Sequence, residues 1–146
     1  MKKLAVAVIG LGYWGPNILR NLLQVPLIEQ VYGCDLDEKK LARIKKNFPN
    51  ALTSNSFSSI LSNKNIDAVI IATPLRSHFP LAKQALLAGK HVLIEKPMTE
   101  ISKQAKELIS LAKKQNKLLM VGHTFIYSET VQAMKKEIMK KSLGKI

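Results

Sequence analysis

Three glycines follow the first apolar run of the sequence. The run 4–9 leads into Gly10, Gly12 and Gly15, in the spacing Gly-x-Gly-x-x-Gly, and helical periodicity begins after them. In this context the first glycine permits a tight turn, the second lets the backbone approach a diphosphate, and the third lets a helix pack closely on a strand. The helix N-terminus adds N–H donors and a partial positive charge. The motif arises easily by chance, but its place between strand and helix predicts a dinucleotide site.

A carboxylate follows the second apolar run. Asp35 lies twenty positions after Gly15, where a carboxylate can accept hydrogen bonds from the ribose hydroxyls of NAD and repel the 2′-phosphate of NADP. Asp35 or Asp37 could instead cap a helix. Asp37 suits that role better, which leaves Asp35 free for the ribose. No arginine follows directly, so we expect NAD(H) to bind much more tightly than NADP(H), although Lys39 or Lys40 could bind a phosphate.

Three further polar segments directly follow apolar runs, at 72–74, 95–97 and 121–123. Ligands of open α/β sheets bind beyond the carboxyl ends of the strands, so these segments are predicted to share one site with the glycine loop. The candidate cofactor-binding residues in them are Thr73, Pro74, Glu95, Lys96 and His123.

The elements that must position these residues can be read from the hydrophobic pattern. Short apolar runs alternate with helical periodicity, which predicts an α/β fold: a Rossmann-type, doubly wound parallel sheet of about six strands. We predict strands at 4–9, 28–34, 66–72, 91–94 and 118–121. Two helices are predicted at 16–24 and 56–61. Asp37, Ser77 and either Thr99 or Ser102 are predicted to cap three more, and a last helix is predicted to begin near Ser128. In the helix capped by Ser77, Pro80 would lie in the first turn and Gly89 would end the helix.

Composition narrows the class of protein. The chain has 146 residues and a formal net charge of +13, from 23 basic and 10 acidic residues. A basic balance invites a nucleic-acid interpretation, but the lysines are scattered over predicted helix faces and no nucleic-acid motif occurs. We expect a solvated lysine-rich surface and no nucleic-acid partner, with a basic nucleic-acid binder on a Rossmann scaffold as the remote alternative.

Apolar runs and cysteine usage bear on location. No run approaches the ~18 residues of a membrane span, and no small-residue cleavage site follows the first strand. The single Cys34 allows no internal disulfide, and within a strand we expect it to be an inert thiol. We therefore predict a cytoplasmic protein without a membrane partner, and we identify no metal site.

Together the segments resemble the Gfo/Idh/MocA family of oxidoreductases. They occur in the family's order and spacing, and the resemblance covers essentially the whole chain but only the family's N-terminal domain. The matching pieces are 10–15 (Gly-Leu-Gly-Tyr-Trp-Gly), Asp35, Ala72-Thr73-Pro74 with His78, Ala88-Gly89-Lys90-His91-Val92, Glu95-Lys96-Pro97-Met98 and Val121-Gly122-His123.

The resemblance implies hydride transfer between a nicotinamide and a hydroxyl carbon of a sugar or polyol. Residues 12–17 and 121–125 look most like members that act on nucleotide-linked sugars. Lys96 matches the lysine of the family's Glu-Lys-Pro motif, near the nicotinamide ribose and the substrate hydroxyl, and is the candidate catalytic residue. A cation there can stabilise a developing alkoxide or exchange a proton. The alternative is a surface lysine in a turn.

Other residues have more than one interpretation. Glu95 could position Lys96, bind a ribose hydroxyl, or only cap a strand end. Tyr13 and Trp14 could flank the pyrophosphate, close on the substrate, or simply pack. His78 could touch the nicotinamide ribose or be structural.

The sequence departs from the family at its C-terminal end. Family members carry a second, C-terminal α+β domain, usually with an Asp-x-x-x-His helix, and this sequence contains no Asp-x-x-x-His. We assign residues 1–124 to a dinucleotide-binding domain and 125–146 to a helix leading toward that missing domain, with 144–146 resembling the start of a strand. We expect NAD(H) binding without turnover, and homo-oligomer contacts in the missing part. A partner chain could supply that part, or the chain could be a non-catalytic NAD(H)-binding module.

Overall fold

The computed structural model describes residues 3–141 and 144. It shows one six-stranded parallel sheet in the order β3-β2-β1-β4-β5-β6. The strands are β1 (Leu4–Ile9), β2 (Ile28–Cys34), β3 (Leu52–Ser54), β4 (Ala68–Ile71), β5 (His91–Ile94) and β6 (Leu119–Val121). The helices are α1 (Gly15–Leu22), α2 (Glu38–Asn47), α3 (Phe57–Ser62), α4 (Leu75–Leu87), α5 (Ser102–Lys114) and α6 (Glu129–Met139), with a 3₁₀ turn at Thr124–Tyr127.

The sheet is covered on both faces because side chains alternate along each strand. Val8 packs with Leu19 of α1 and Leu41 of α2. Its neighbours on β1 face the other way, into a cluster that includes Leu86 of α4 and Leu108 of α5. The predicted doubly wound α/β sheet is therefore confirmed, and its strand order reverses between β1 and β4, where such sheets bind ligands.

The structure differs from the prediction at the starts of α4 and α5. α4 begins at Leu75 because Pro74 ends the preceding segment with its fixed φ. Ser77 is therefore inside the helix and is not its cap; its hydroxyl donates to the Pro74 carbonyl at 2.6 Å. Pro80 lies in the helix interior instead of the first turn.

The start of α5 also differs from the prediction. Ile101 occupies the N-cap position without a side-chain cap, so neither Thr99 nor Ser102 caps this helix. The Thr99 hydroxyl instead donates to the Ile101 carbonyl at 3.0 Å. The predicted cap Asp37 is confirmed, since it accepts a hydrogen bond from the first turn of α2. Ser128, near which the last helix is predicted to begin, also accepts one from the first turn of α6.

The sixth strand is β3, to which the hydrophobic pattern assigned no position. It has three residues and pairs with β2 at the sheet edge, with Tyr32 opposite Leu52. At the other end of the chain, the predicted strand start at 144–146 lies outside the described residues apart from Gly144. Within residues 3–141 and 144 no helix is long and apolar enough to cross a bilayer, and no cluster of metal-ligating side chains occurs.

Candidate functional site

Backbone hydrogen bonds extend the sheet by one step into the predicted site segments. This aligns the glycine loop and the segments after β4, β5 and β6 along one edge. The N–H donors and their acceptors, 2.8–2.9 Å apart, are Gly10 to Cys34, Ala72 to Ile9, Glu95 to Ile71 and Gly122 to Ile94.

The three glycines of the loop differ in what a Cβ atom would contact at each position. Gly10 has φ +92°, and a Cβ there would lie 2.7 Å from the Ala72 carbonyl oxygen. A Cβ on Gly15 would lie 2.1 Å from the Gly10 carbonyl oxygen, so α1 packs directly on the turn. A Cβ on Gly12 would meet nothing within 4 Å. Gly10 and Gly15 are therefore required by the fold, whereas Gly12 borders open space where a ligand can approach the backbone.

The first turn of α1 follows this loop. Its N-cap residue, Trp14, makes no side-chain cap, Pro16 lies in the first turn, and no acidic side chain occupies that turn. An anion at this end of the helix would meet the positive end of the dipole without a competing carboxylate.

Asp35 lies at the carboxyl end of β2, but it is not free, contrary to the expectation from the sequence. Its Oδ2 accepts a hydrogen bond from the Leu11 N–H at 2.7 Å, and its Oδ1 accepts one from the Asp37 N–H at 3.0 Å. The Lys40 ammonium lies 3.1 Å from Oδ2 and 3.3 Å from Oδ1. The carboxylate thus holds the glycine loop and the start of α2 together, because the loop and α2 supply its donors.

These partners decide the charge state of Asp35. Burial opposes ionisation, but the hydrogen bonds from Leu11 and Asp37 and the ammonium of Lys40 outweigh it and lower the pKa of the carboxyl below its ordinary value. The Cys34 thiol responds in the opposite sense. Burial and the adjacent Asp35 charge raise the pKa of Cys34 to about 11, which is consistent with an inert thiol.

A cavity of about 360 Å³ opens beside Asp35. We call it the Asp35 cavity. It is mainly apolar, with Asp35, Lys40, Thr73 and Ser77 as its polar side chains. Its lining residues are Ile9, Gly10, Cys34, Asp35, Leu36, Lys40, Phe57, Ala72, Thr73, Pro74, Ser77 and Leu81.

A second cavity, of about 310 Å³, contains most of the remaining predicted site residues. We call it the Lys96 cavity. It shares Ala72, Thr73 and Pro74 with the Asp35 cavity, so the two lie on either side of the segment after β4. Its lining residues are Tyr13, Trp14, Ala72, Thr73, Pro74, Leu75, His78, Glu95, Lys96 and Pro97.

His78 links two walls of the Lys96 cavity. Its ring is 2% exposed. Nδ1 lies 2.9 Å from the Pro97 carbonyl oxygen and Nε2 lies 2.8 Å from the Thr73 carbonyl oxygen. Both polar atoms of the ring are therefore engaged by backbone, and His78 fixes the spacing between the segments after β4 and β5.

Tyr13 and Trp14 form the aromatic part of the same cavity. Their rings meet edge to face with centroids 5.2 Å apart, and they are 81% and 55% exposed. Large aromatic rings are seldom left this exposed without a ligand or another surface to cover them.

Glu95 stands between the Lys96 cavity and a smaller one of about 190 Å³ that contains His123. Its carboxylate passes over Gly122, where a Cβ would lie 3.2 Å from Oε1. The Lys96 N–H lies 3.3 Å from its Oε2. Lys96 itself is exposed, and the Lys96–Pro97 peptide bond is cis. The structure therefore brings Glu95 and Lys96 to one cavity and places His123 in the neighbouring one.

Several lining residues of the Asp35 cavity are not among the site residues that the sequence predicts. Leu36 is 88% exposed beside the carboxylate, and Phe57 and Ser77 come from α3 and α4. Lys40 was noted only as a possible phosphate ligand. Its position five residues after Asp35, in the first turn of α2, is the signal that could have identified it.

The arrangement fits a dinucleotide. Two cavities flank one segment, a glycine with an open Cβ direction borders the loop, and an uncapped helix start follows it. The Asp35 cavity matches the needs of an adenosine: apolar walls for a base and a carboxylate for ribose hydroxyls. The Lys96 cavity is lined by two aromatic residues, Tyr13 and Trp14, and by the charged residues Glu95 and Lys96.

Comparison with known proteins agrees with this geometry. A family model described as the Gfo/Idh/MocA oxidoreductase family, NAD-binding Rossmann fold, matches residues 4–123. The uncharacterised oxidoreductase YdgJ of Escherichia coli is 34% identical over 147 aligned positions, which cover 97% of this chain and 40% of YdgJ.

Solved structures give the same result. Myo-inositol 2-dehydrogenase from Lactobacillus plantarum superposes with a TM-score of 0.90 at 28% identity, covering 99% of this chain and 43% of that one. GenD2 from gentamicin A biosynthesis, solved in complex with NAD, gives a TM-score of 0.83 at 29% identity over 88% of this chain and 37% of that one.

The chain thus spans about 40% of the length of YdgJ and of the inositol dehydrogenase. The family model covers most of it, including the glycine loop, Asp35 and the Glu95-Lys96-Pro97 segment. The chain therefore belongs to the Gfo/Idh/MocA oxidoreductase family and forms its NAD-binding Rossmann domain.

Proposed function

We propose that this chain is the cofactor-binding part of an NAD-dependent dehydrogenase that transfers hydride between the nicotinamide and a hydroxyl carbon of a sugar or nucleotide-sugar. The observation that carries the proposal is the pair of cavities on either side of Thr73 and Pro74, one with Asp35 and the other with Lys96. A bound dinucleotide would place its halves in the two cavities and its diphosphate at the glycine loop.

The diphosphate and adenosine are assigned to residues around β1 and β2. The N–H groups at Gly12 and at the start of α1 would donate to the diphosphate, and Gly10 and Gly15 keep the turn close to β4 and α1. Asp35 would accept from the ribose hydroxyls, sharing its oxygens with its present donors. The exposed Leu36 offers an apolar surface to the base.

The nicotinamide half is assigned to the Lys96 cavity. When bound, the nicotinamide supplies the carbon that accepts or gives the hydride. Tyr13 and Trp14 would cover that half from water, while His78 holds Thr73 and Pro97 in register. The Lys96 ammonium would stabilise the oxygen of the substrate as an alkoxide develops, and Glu95 would position Lys96 or bind a ribose hydroxyl. His123 would contact the cofactor or substrate from the neighbouring cavity.

We assign the substrate-binding part of the enzyme to a further domain. Residues 125–146 would lead toward it, and apolar side chains of β6, the 3₁₀ turn and α6 are exposed where it would pack: Met120, Phe125, Ile126, Met134 and Ile138. Homo-oligomer contacts would lie in that domain, and the assembled enzyme would work in the cytoplasm. The inositol dehydrogenase among the similar structures supports a sugar-like substrate.

The cofactor part of the proposal is tested by calorimetric titration of the 146-residue chain with NADH. We expect one site with a dissociation constant of about 1–100 μM, a heat of binding, and a rise in melting temperature that grows with NADH concentration. Absence of both heat and thermal shift at millimolar NADH would refute it.

The catalytic part is tested by adding the C-terminal domain of a family relative to this chain, fused or in trans. We expect no sugar-dependent NADH formation by the chain alone and measurable formation after fusion. Lys96→Met in the fusion should lower kcat by at least about 100-fold without a matching change in NADH affinity. NADH binding without activity in any such fusion would instead favour the non-catalytic NAD(H)-binding module.

A further inference from the structure

Lys40 is the cation of the Asp35 cavity. It lies in the first turn of α2, its side chain is 42% exposed, and its ammonium reaches both carboxylate oxygens of Asp35 at 3.1 Å and 3.3 Å. The preceding residue, Lys39, is exposed and does not line the cavity. Of these two adjacent lysines, Lys40 is therefore the one that contacts the carboxylate that would bind the ribose.

The contact with Lys40 changes how strongly Asp35 can repel a ribose 2′-phosphate. A lone carboxylate at this position repels a ribose 2′-phosphate. Here its charge is offset by an ammonium about 3 Å away, and each oxygen also accepts a backbone N–H, from Leu11 or Asp37. Inside the cavity a phosphate would therefore meet the carboxylate of Asp35 paired with the ammonium of Lys40, instead of a lone negative charge.

The Lys40 side chain can also move to pair with a bound phosphate. Its ammonium is carried on a flexible four-carbon stem, and part of the side chain is open to solvent in the same cavity as Asp35. The other acidic side chains of this turn also have partners: Asp37 accepts from the Lys39 N–H at 2.9 Å, and Glu38 accepts from the Asn55 amide at 2.8 Å. A short movement of Lys40 would exchange the Asp35 carboxylate for a more highly charged phosphate.

We propose that Lys40 lets the Asp35 cavity accept a ribose 2′-phosphate, so that the domain binds NADP(H) as well as NAD(H). The inference rests on the proposed function, because it assumes that the adenosine ribose lies at Asp35. NADH remains the tighter ligand, since Asp35 still accepts from a free ribose diol, but the preference is small. Lys40 is the residue that sets the ratio of the two affinities.

The test is a set of titrations with NADH and with NADPH at one ionic strength. The proteins are the wild-type chain, Lys40→Met and the matched control Lys39→Met, which removes the same charge one residue away. We expect the wild-type chain to bind NADPH no more than about tenfold more weakly than NADH. Lys40→Met should raise the ratio of the NADPH dissociation constant to the NADH dissociation constant by at least about tenfold. Lys39→Met should change the ratio less than twofold.

Two results would overturn the inference alone. One is NADH binding with an NADPH-to-NADH ratio that Lys40→Met does not alter. The other is an equal change of that ratio in Lys40→Met and Lys39→Met, which would show general attraction of anions. Absence of binding of either nucleotide by the wild-type chain would refute the proposed function as well. Melting temperatures of the three proteins, compared without ligand, identify any loss caused by unfolding.

Discussion

The carboxylate of Asp35 accepts a hydrogen bond from the Leu11 N–H at 2.7 Å, across 24 positions of the sequence. The bond joins the end of β2 to the middle of the glycine loop. Asp35 therefore shapes the loop that would hold a diphosphate and, from the same position, would contact the ribose. Replacing it should alter both stability and ligand binding.

Asp35→Asn should lower the free energy of unfolding by about 1–3 kcal/mol at neutral pH, because charge-assisted hydrogen bonds are lost. The folded state lowers the pKa of Asp35 below its ordinary value of 3.8, so its stabilisation is present above that value and disappears as the pH falls through the folded-state pKa. Urea unfolding of both proteins from pH 7 to pH 2 checks this. A stability difference that is constant over that range would contradict it.

Gly12→Ala and Gly15→Ala should affect different properties, namely NADH affinity and stability. A methyl group on Gly15 meets the Gly10 carbonyl, so Gly15→Ala should cost about 1–3 kcal/mol of stability. A methyl group on Gly12 meets open space, so Gly12→Ala should change stability by less than about 0.5 kcal/mol. It should nevertheless weaken NADH at least about tenfold by occupying the approach to the diphosphate. Unaltered NADH affinity in Gly12→Ala would count against the assigned diphosphate position.

His78→Ala should destabilise the chain by about 2–4 kcal/mol, since it leaves a buried void and removes the ring nitrogens that contact the Thr73 and Pro97 carbonyl oxygens. His78→Gln, which keeps a donor, should lose less. Chemical denaturation measures both. Stabilities of His78→Ala and His78→Gln that equal the wild-type value would show that the two contacts do not hold the loops.

Trp14 provides a direct optical signal because it is the single tryptophan of the chain. It lines the Lys96 cavity, so a dihydronicotinamide bound there should quench its emission and show sensitised fluorescence. Trp14→Phe should abolish the sensitised signal while calorimetry still detects binding. Full saturation by NADH without any change in Trp14 emission would place the nicotinamide elsewhere.

Cys34 should react slowly with alkylating reagents. Its side chain is buried, and its pKa is raised to about 11, so little thiolate is present at pH 8. Thiol alkylation followed by mass spectrometry should be slow in the native chain and fast in urea. Because Cys34 lines the Asp35 cavity, NADH should slow it further. Native and unfolded chains that react at equal rates would contradict this account.

Much of the fold could be predicted because the strands are buried on both faces and read as unbroken apolar runs. β1 and β2 have the predicted bounds, Asp37 caps α2 as expected, and α6 begins directly after Ser128, near the predicted position. β3 has three residues, with a pattern too short to distinguish from a loop. The predicted start of α4 is wrong because Pro74 occupies the N-cap position without a side-chain cap, so the polar Ser77 that resembles a cap lies inside the helix.

The site could be predicted in position but not in its contacts. The spacing of the glycines and of Asp35 follows from the geometry of a strand, a turn and a helix. The partners of Asp35 come from the glycine loop, from its own turn and from α2. The burial of His78 between two loops likewise depends on packing between α4 and the segment after β5. Neither the partners of Asp35 nor the burial of His78 produces a periodic pattern in the sequence.

The most direct test of the central claim is a crystal structure of the chain with NADH. The account predicts the diphosphate against the backbone from Gly10 to Gly15, with the adenosine ribose within hydrogen-bond distance of Asp35 and the nicotinamide in the cavity of Lys96. A nucleotide bound away from this edge of the sheet, or with its halves exchanged between the two cavities, would contradict it.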